Sequence, residues 1–490
     1  MSEQYLLVID EGTTSTRAML FAPDGECRGI VQKEFAEHYP RPGWVEHDAK
    51  EIWDFTLHCA RTCVDKVGGA GEIASIGITN QRETIVFWSK RTGEPLGPAI
   101  VWQDRRTAAL CAGMKEKGYE PSLQQRTGLL LDPYFSASKI AWAMASWPLL
   151  KEAGDDLAIG TIESWLVWKL TGGLHVTDAT NAARTALMDI QKGMWDAGLL
   201  DLFNVPPGAL PEIVDCAGRY GTTSPELFGG AIPITGMAGD QQAASIGQAC
   251  LSPGDTKATY GTGAFILTNT GARPQPSHHR LLTTVAWRVD GAMAYALEGS
   301  VFVAGSLIKW LRDSLGLLVT AAQSEELARS IPDSGGAVIV PALTGLGAPH
   351  WRPDARASIS GLSFATGRAQ IVRAALEAMA HQSHDLMTAF AADGAEWTSL
   401  KIDGGMSAND WLTQDLADML DVTVERPNFV ETTALGAAML AGVGCGMFAG
   451  LEEAAAMRGE VRRFEPRMDE STRAARLGAW QAALKAVLAD

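Results

Sequence analysis

No run of lysine and arginine longer than a pair, such as Arg105-Arg106, occurs in these 490 residues, and the formal net charge is −16. Such a chain offers no basic surface to a nucleic acid or to a membrane, and neither is expected as a partner. Any phosphate it holds must instead meet backbone amides, a metal ion and one or two cations. Paired cysteines are missing too. The seven cysteines are scattered, and although Cys59 and Cys63 stand four apart, no second pair completes a zinc site. That usage fits small buried hydrophobes in a reducing, cytoplasmic compartment. Acidic residues interrupt the apolar run near the start, so no targeting signal is read there. The longest uncharged stretch, Thr432 to Leu451, could span a bilayer by length. It is rich in Gly, Ala and Thr, and reads as a close-packed helix and turn without membrane insertion.

The common phosphate motifs are absent as well. No glycine precedes a lysine, which excludes a Walker A loop. Neither His-Arg-Asp nor Asp-Phe-Gly occurs, which excludes the protein-kinase set, and no Gly-x-Gly-x-x-Gly follows a strand-like run.

What is present is an ordinary globular balance, 46% hydrophobic and 20% charged, in a chain too long for a single core. Two domains are expected, 1–249 and 250–490, divided where Gly247 to Gly254 breaks the pattern with Pro and Gly. Tyr5 to Asp10 is an apolar run ending in an acid. Glu11-Gly-Thr-Thr-Ser-Thr16 then turns into the strand-like Arg17 to Phe21, a hairpin with a tip of small hydroxyl residues. Thr256 to Tyr260, Gly261-Thr-Gly263 and Ala264 to Thr268 repeat the device, and Leu400 to Gly405 is a third apolar-acid-glycine element. Together they suggest one nucleotide site built from two related halves. Lys50–Lys66 and Arg368–Phe390 carry apolar residues at helical spacing. Strands alternating with helices give an α/β class with mostly covered sheets.

An acid at a strand end beside a Gly-Thr-Thr turn has a plain physical use. Backbone N–H groups and hydroxyls can wrap phosphate oxygens, while Asp10 positions the Mg²⁺ that travels with ATP and needs only one or two carboxylates. Asp240 follows the apolar Ile232 to Thr235 across a small-residue turn, Gly236 to Gly239. That exposes a carboxylate at the C-terminal end of a strand, where α/β sites form. The same residue could cap the helix that begins at Gln241.

Asp10 to Ser15 resembles the first phosphate loop of the actin-like and sugar-kinase superfamily. Further segments are similar to its carbohydrate-kinase (FGGY) family: Pro42 to Asp48, Gly77 to Thr84, Val101 to Thr107, Asp132 to Ser136, Ala238 to Gln242, Thr259 to Gly263, Thr344 to Pro349, and Asp403 to Gly405. The likeness runs in order from residue 5 to about 465. It implies two ribonuclease H-like domains flanking a deep cleft, a homo-oligomer (dimer or tetramer), and ATP-dependent phosphorylation of a small polyol. Glycerol is the favoured acceptor, and erythritol or xylulose the alternatives. By motif, Arg82, Glu83, Tyr134, Asp240 and Gln241 would hydrogen-bond the acceptor hydroxyls, and Trp102 and Phe265 would flank its carbon edge. Asp10 would organise Mg²⁺, with Thr13, Thr14, Ser15 and Arg17 around the phosphates. Gly261, Thr262, Gly305, Gly405 and Asn409 would hold the rest of ATP, with Lys309 one turn beyond Gly305.

Physical chemistry agrees with those roles. A polyol has polar hydroxyls and an apolar C–H edge, so it requires a hydrogen-bonding fork and a flat wall. Arg82 donates, Glu83 accepts, and Asp240 is the base expected to take the acceptor proton. His381 and His384, three apart on one helix, have no third ligand nearby and are not read as a metal pair. A chaperone-type ATPase on the same superfold would need a peptide-binding β domain after its core, where 471–490 reads as helix instead.

Overall fold

A computed structural model describes residues 4–352 and 354–489. The opening pattern folds as a hairpin, Tyr5–Glu11 against Ser15–Phe21, with Asp10 opposite Arg17, and Cys27–Glu34 adds a third antiparallel strand. Ile73–Asn80 and then Pro233–Gly239 extend the other side in parallel, and Ala217–Thr222 closes it antiparallel. The second half repeats this plan. Asp255–Tyr260 pairs antiparallel with Ala264–Gly271, which pairs with Ala292–Val301. On the other side Ser399–Asp403 and Val424–Pro427 run parallel, and Val461–Phe464 closes antiparallel. An added strand, Leu282–Val289, meets the first half through a single pair, Ala217 opposite Val289. The result is a sheet of 13 strands made of two ribonuclease H-like units joined at a narrow seam, the actin-like α/β fold.

Helices cover the sheet as the periodicity requires. Ala49–Lys66 buries Ile52, Thr56, Cys59 and Cys63, and Asp48 caps it by accepting from the Lys50 N–H at 2.8 Å. Arg368–Ala392 buries Val372, Leu376, Met379 and Leu386. The uncharged stretch forms the helix Thr432–Cys445, which packs on the first-half sheet although it comes late in the chain. Its small residues allow that approach. A Cβ on Gly77 would lie 2.3 Å from the Ala437 carbonyl oxygen, and one on Gly436 would lie 1.8 Å from that of Ala243. Among the described residues no helix is long and apolar enough to cross a membrane.

One local expectation is corrected. Gly236 to Gly239 is not a turn but the end of the strand Pro233–Gly239, which passes directly into the helix Asp240–Gly247. Small residues let the helix Thr432–Cys445 approach this strand closely, since a Cβ on Gly236 would lie 2.4 Å from the Ala441 nitrogen, and the glycines give the strand the look of a loop. Asp240 is therefore the first residue of the helix, whose cap is Gly239. The last expected helix is Glu470–Ala489, and Asp490 lies outside the described residues.

Candidate active site

The strand Ile73–Asn80 is followed by Gln81, Arg82 and Glu83, all buried. Glu83 takes a φ of 63°, a left-handed value uncommon for a residue with a side chain, which marks a turn fixed by its surroundings. Each nitrogen of the Arg82 guanidinium has a partner. Nε lies 3.1 Å from Asp240 Oδ1, and Nη1 donates to Glu298 Oε2 at 2.6 Å and to Gln242 Oε1 at 3.3 Å. Nη2 donates to the Tyr134 hydroxyl and to Glu298 Oε1, both at 3.3 Å. A second buried arginine, Arg184, donates from Nε to Glu83 Oε1 at 2.6 Å and from Nη2 to Glu298 Oε1 at 2.9 Å. Burial pushes the Glu298 carboxyl up, but Arg184 and Arg82 outweigh it and hold the group below its ordinary range. Burial wins at Glu83, whose carboxyl is raised in spite of Arg184 and Arg82.

An aromatic cluster adjoins this network. The ring of Trp102 lies 5.6 Å from that of Tyr134 and 6.3 Å from that of Phe265, both edge-on. Lys139, fully buried, donates to the carbonyls of Pro133 and Tyr134 at 2.6 Å and of Phe135 at 3.3 Å, which fixes the turn that carries Tyr134. Asp240 differs from its neighbours: its side chain is 33% exposed, whereas that of Arg82 is 2% exposed. Its Oδ1 accepts from the Gln241 N–H at 2.7 Å, which anchors one oxygen at the helix N-terminus. Gln241 turns its amide oxygen to the buried Lys257 Nζ at 2.5 Å and its NH₂ towards Asp240 Oδ2 at 3.3 Å.

The phosphate hairpin lies beside the aromatic cluster. Trp102 Nε1 donates to Thr13 Oγ1 at 3.0 Å, which ties the two together. Asp10 is buried, and that raises its carboxyl to about 6, with Arg17 opposing and Glu431 and Asp240 adding to the rise. Arg17 Nη2 pairs with Asp10 Oδ2 at 2.7 Å. Arg17 Nη1 pairs with Glu431 at 2.5 Å. Thr14 is exposed, and Ser15 Oγ accepts from Gln32 at 3.2 Å.

The second-half loops converge by main-chain contacts. The Gly305 N–H donates to the Gly261 carbonyl at 2.9 Å, and the Ala304 and Ser306 N–H groups donate to that of Thr262 at 2.9 and 3.0 Å. Gly404 has φ +86°, and a Cβ there would lie 2.6 Å from the Tyr260 carbonyl oxygen, so the 404–405 turn seats against the 260–263 turn. Asp403 accepts from Thr259 Oγ1 at 2.5 Å and Thr432 Oγ1 at 2.6 Å.

The structure therefore brings Arg82, Glu83, Trp102, Tyr134, Asp240, Gln241 and Phe265 into one cluster, with Asp10, Thr13 and Arg17 alongside. Gly261, Thr262, Gly305 and Gly405 form a second cluster. Two further expected residues are Asn409 and Lys309. Asn409 caps the helix Asp410–Leu420 by accepting from the Leu412 N–H at 2.9 Å, and donates to Ser324 at 3.2 Å. Lys309 is exposed on the helix Gly305–Asp313. Sequence reasoning missed Arg184, Glu298, Lys139 and Lys257. Glu298 carried a usable signal, a lone charge inside a largely apolar strand, which must be buried and paired.

Residues 5–247 match the N-terminal domain of the FGGY family of carbohydrate kinases, and 256–445 match its C-terminal domain. A glycerol kinase from Aromatoleum aromaticum is 53% identical over 486 residues, covering 98% of each chain. One from Rhodospirillum centenum is 52% identical over 484 residues, covering 98% of this chain and 97% of that protein. Among solved structures, Plasmodium falciparum glycerol kinase with ADP superposes with a TM-score of 0.94 at 36% identity, covering 99% of this chain and 98% of that one. A gluconate kinase from Lactobacillus acidophilus, 22% identical with a TM-score of 0.91 over 100% of this chain and 99% of its own, shares the fold. On this architecture and these matches, the chain belongs to the FGGY family of carbohydrate kinases.

Proposed function

We propose that this chain transfers the γ-phosphate of ATP to glycerol, forming ADP and sn-glycerol 3-phosphate, the entry step of glycerol catabolism. The observation that carries this reading is Asp240: a partly exposed carboxylate held by Arg82 at 3.1 Å, in a cluster whose other charges are buried. Its proposed task is to take the proton from the acceptor hydroxyl as that oxygen attacks the γ-phosphorus in line. The bond from phosphorus to the β–γ bridging oxygen then breaks, and ADP leaves. Tyr134, Arg82 and Glu83 supply a donor and acceptor fork for the remaining hydroxyls, and Gln241, oriented by Lys257, turns its NH₂ towards the same place. Trp102 and Phe265 supply the apolar wall. Relatives 52% and 53% identical are glycerol kinases, so erythritol and xylulose are not favoured as acceptors.

ATP would bind across the two loop clusters. Thr13, Thr14, Ser15 and Arg17 would stand around its terminal phosphates, and Gly261, Thr262, Gly305 and Gly405 would offer main chain to the rest. Asn409 holds its loop in shape by capping the helix Asp410–Leu420, and the exposed Lys309 would lie near the nucleotide. The donor set fits Mg²⁺: Asp10 offers a buried carboxylate at the end of the strand that leads into the Gly12–Thr14 turn, and this ion needs only one or two carboxylates. When bound, Mg²⁺ neutralises charge on the transferring phosphates. In this reading 1–249 carries most of the acceptor groups and the first phosphate loop, and 250–490 carries the second phosphate loop and the nucleotide site. All seven cysteines are free, five of them buried, which suits a cytoplasmic enzyme. Light scattering tests for the homo-oligomer, a dimer or tetramer.

The test is ADP release with Mg-ATP and a panel of polyols and sugars, alongside Asp240→Asn. Turnover confined largely to glycerol, reduced on the order of 10²–10⁴-fold in the variant while glycerol still binds, is the expected result. Turnover with another polyol instead would move the substrate, and none with any acceptor would sink the reading.

A further inference from the structure

We infer that Glu298 is a positioning residue for the acceptor site, fixing Arg82 directly and Glu83 through Arg184. Glu298 lies on the strand Ala292–Val301 of the second half, between the apolar Leu297 and Gly299, and is fully buried. A carboxylate is costly there unless its oxygens are satisfied. Both are. Oε2 accepts from Arg82 Nη1 at 2.6 Å, the shortest contact that guanidinium makes, and Oε1 accepts from Arg184 Nη2 at 2.9 Å and from Arg82 Nη2 at 3.3 Å. Arg184 is held in turn to Glu83 Oε1 at 2.6 Å.

Every other Arg82 contact is longer, from 3.1 Å to Asp240, through 3.3 Å to Gln242 and Tyr134, to 4.0 Å to Glu83. Without Glu298 the planar fork of Arg82 loses its strongest anchor, and Arg184, which orients Glu83, loses one of its two. The two residues proposed to bind acceptor hydroxyls are then free to rotate away, although neither has been altered. The phosphate hairpin and the second-half glycine loops hold themselves by other bonds, through Thr13, Arg17 and main-chain groups. A change at Glu298 must therefore fall on the acceptor side alone.

The inference rests on the glycerol reading, and the experiment separates the two. Glycerol KM, ATP KM and thermal melting are measured for the wild type, Glu298→Gln and Glu298→Asp. Glutamine keeps the shape but replaces one charged acceptor by a donor; aspartate keeps the charge but falls one methylene short. Glycerol KM is expected to rise about tenfold or more in Glu298→Gln and by less in Glu298→Asp, with ATP KM within about twofold in both. Unchanged glycerol KM, or glycerol and ATP KM rising together, overturns the inference. Should the glutamine variant fail to fold, the same split in the aspartate variant decides it. A wild type inactive on glycerol overturns the substrate reading instead, and the split is then read with whichever polyol it turns over.

Discussion

Around Arg82 the chain commits two buried arginines and two buried glutamates, drawn from positions 82, 83, 184 and 298, to one interlocked cluster. Around Gly261 it commits almost no side chain at all: carbonyls of Gly261 and Thr262 meet N–H groups of 304–306, and glycines leave the surface open. On the proposed reading, the difference follows from what each side has to recognise. A small polyol presents only hydroxyls and a C–H edge, so its site must supply directed charge and a shaped wall. A nucleotide phosphate is met well by main-chain N–H groups whatever the neighbouring side chains. On that reading specificity resides in contacts that are long in sequence, and generic binding in turns that are short.

The sharpest way to break this contrast is Arg184→Met. It leaves Glu83 Oε1 and Glu298 Oε1 buried with fewer partners, and removing one member of a buried ion network typically costs about 3–5 kcal/mol. Denaturant unfolding should show a loss of that size together with lost glycerol turnover. A variant as stable as the wild type would mean that the network is weaker than its geometry. Next in size is Lys139, whose ammonium burial pulls down to about 8 from an ordinary 10.5 in spite of Glu83, Asp104 and Asp132. Below pH 8 both folded and unfolded chains carry the proton, and the burial cost is fully present. Between pH 8 and 10.5 the unfolded chain binds more protons than the folded one, so stability rises with pH there. Relative to Lys139→Met, the wild type should gain up to about 3 kcal/mol across that window, read from unfolding curves at several pH values. No change in the difference would place the lysine in water.

Much of this was legible in the chain, and the exceptions have physical causes. The hairpin at Asp10 and its echo at Gly261 announce themselves through apolar runs broken by small residues, and the helices through their period. Asp240, Trp102 and Phe265 could be placed by motif. The strand end Gly236–Gly239 was misread because glycine signals a turn locally, while here it answers to Ala441, against which a Cβ on Gly236 would lie 2.4 Å from the backbone nitrogen. Arg184 and Glu298 were missed because their partners lie 101 to 216 residues away, and no local pattern encodes such a pairing. Motif likewise gives the address of Arg17 and Asn409 but not their direction. The first turns to Asp10 and Glu431, and the second to its own helix.

The smallest expected effect is the one that sharpens the comparison most, a single methyl at Gly261 or Gly405. A Cβ on Gly261 would meet nothing nearer than the Gly263 carbonyl oxygen at 4.0 Å, and one on Gly405 nothing within 4 Å. Neither glycine has positive φ, so alanine enters without strain. Each variant should fold as stably as the wild type, within about 0.5 kcal/mol. What the methyl does occupy is the space proposed for the nucleotide, where a misfit of that size is worth about 1–3 kcal/mol. ATP KM should therefore rise about tenfold or more with glycerol KM unchanged, the mirror image of the result expected at Glu298. If ATP KM instead stayed at the wild-type value in both variants, the open space would not be the nucleotide's, and the division of labour between charged side chains and bare main chain would fail on its second half.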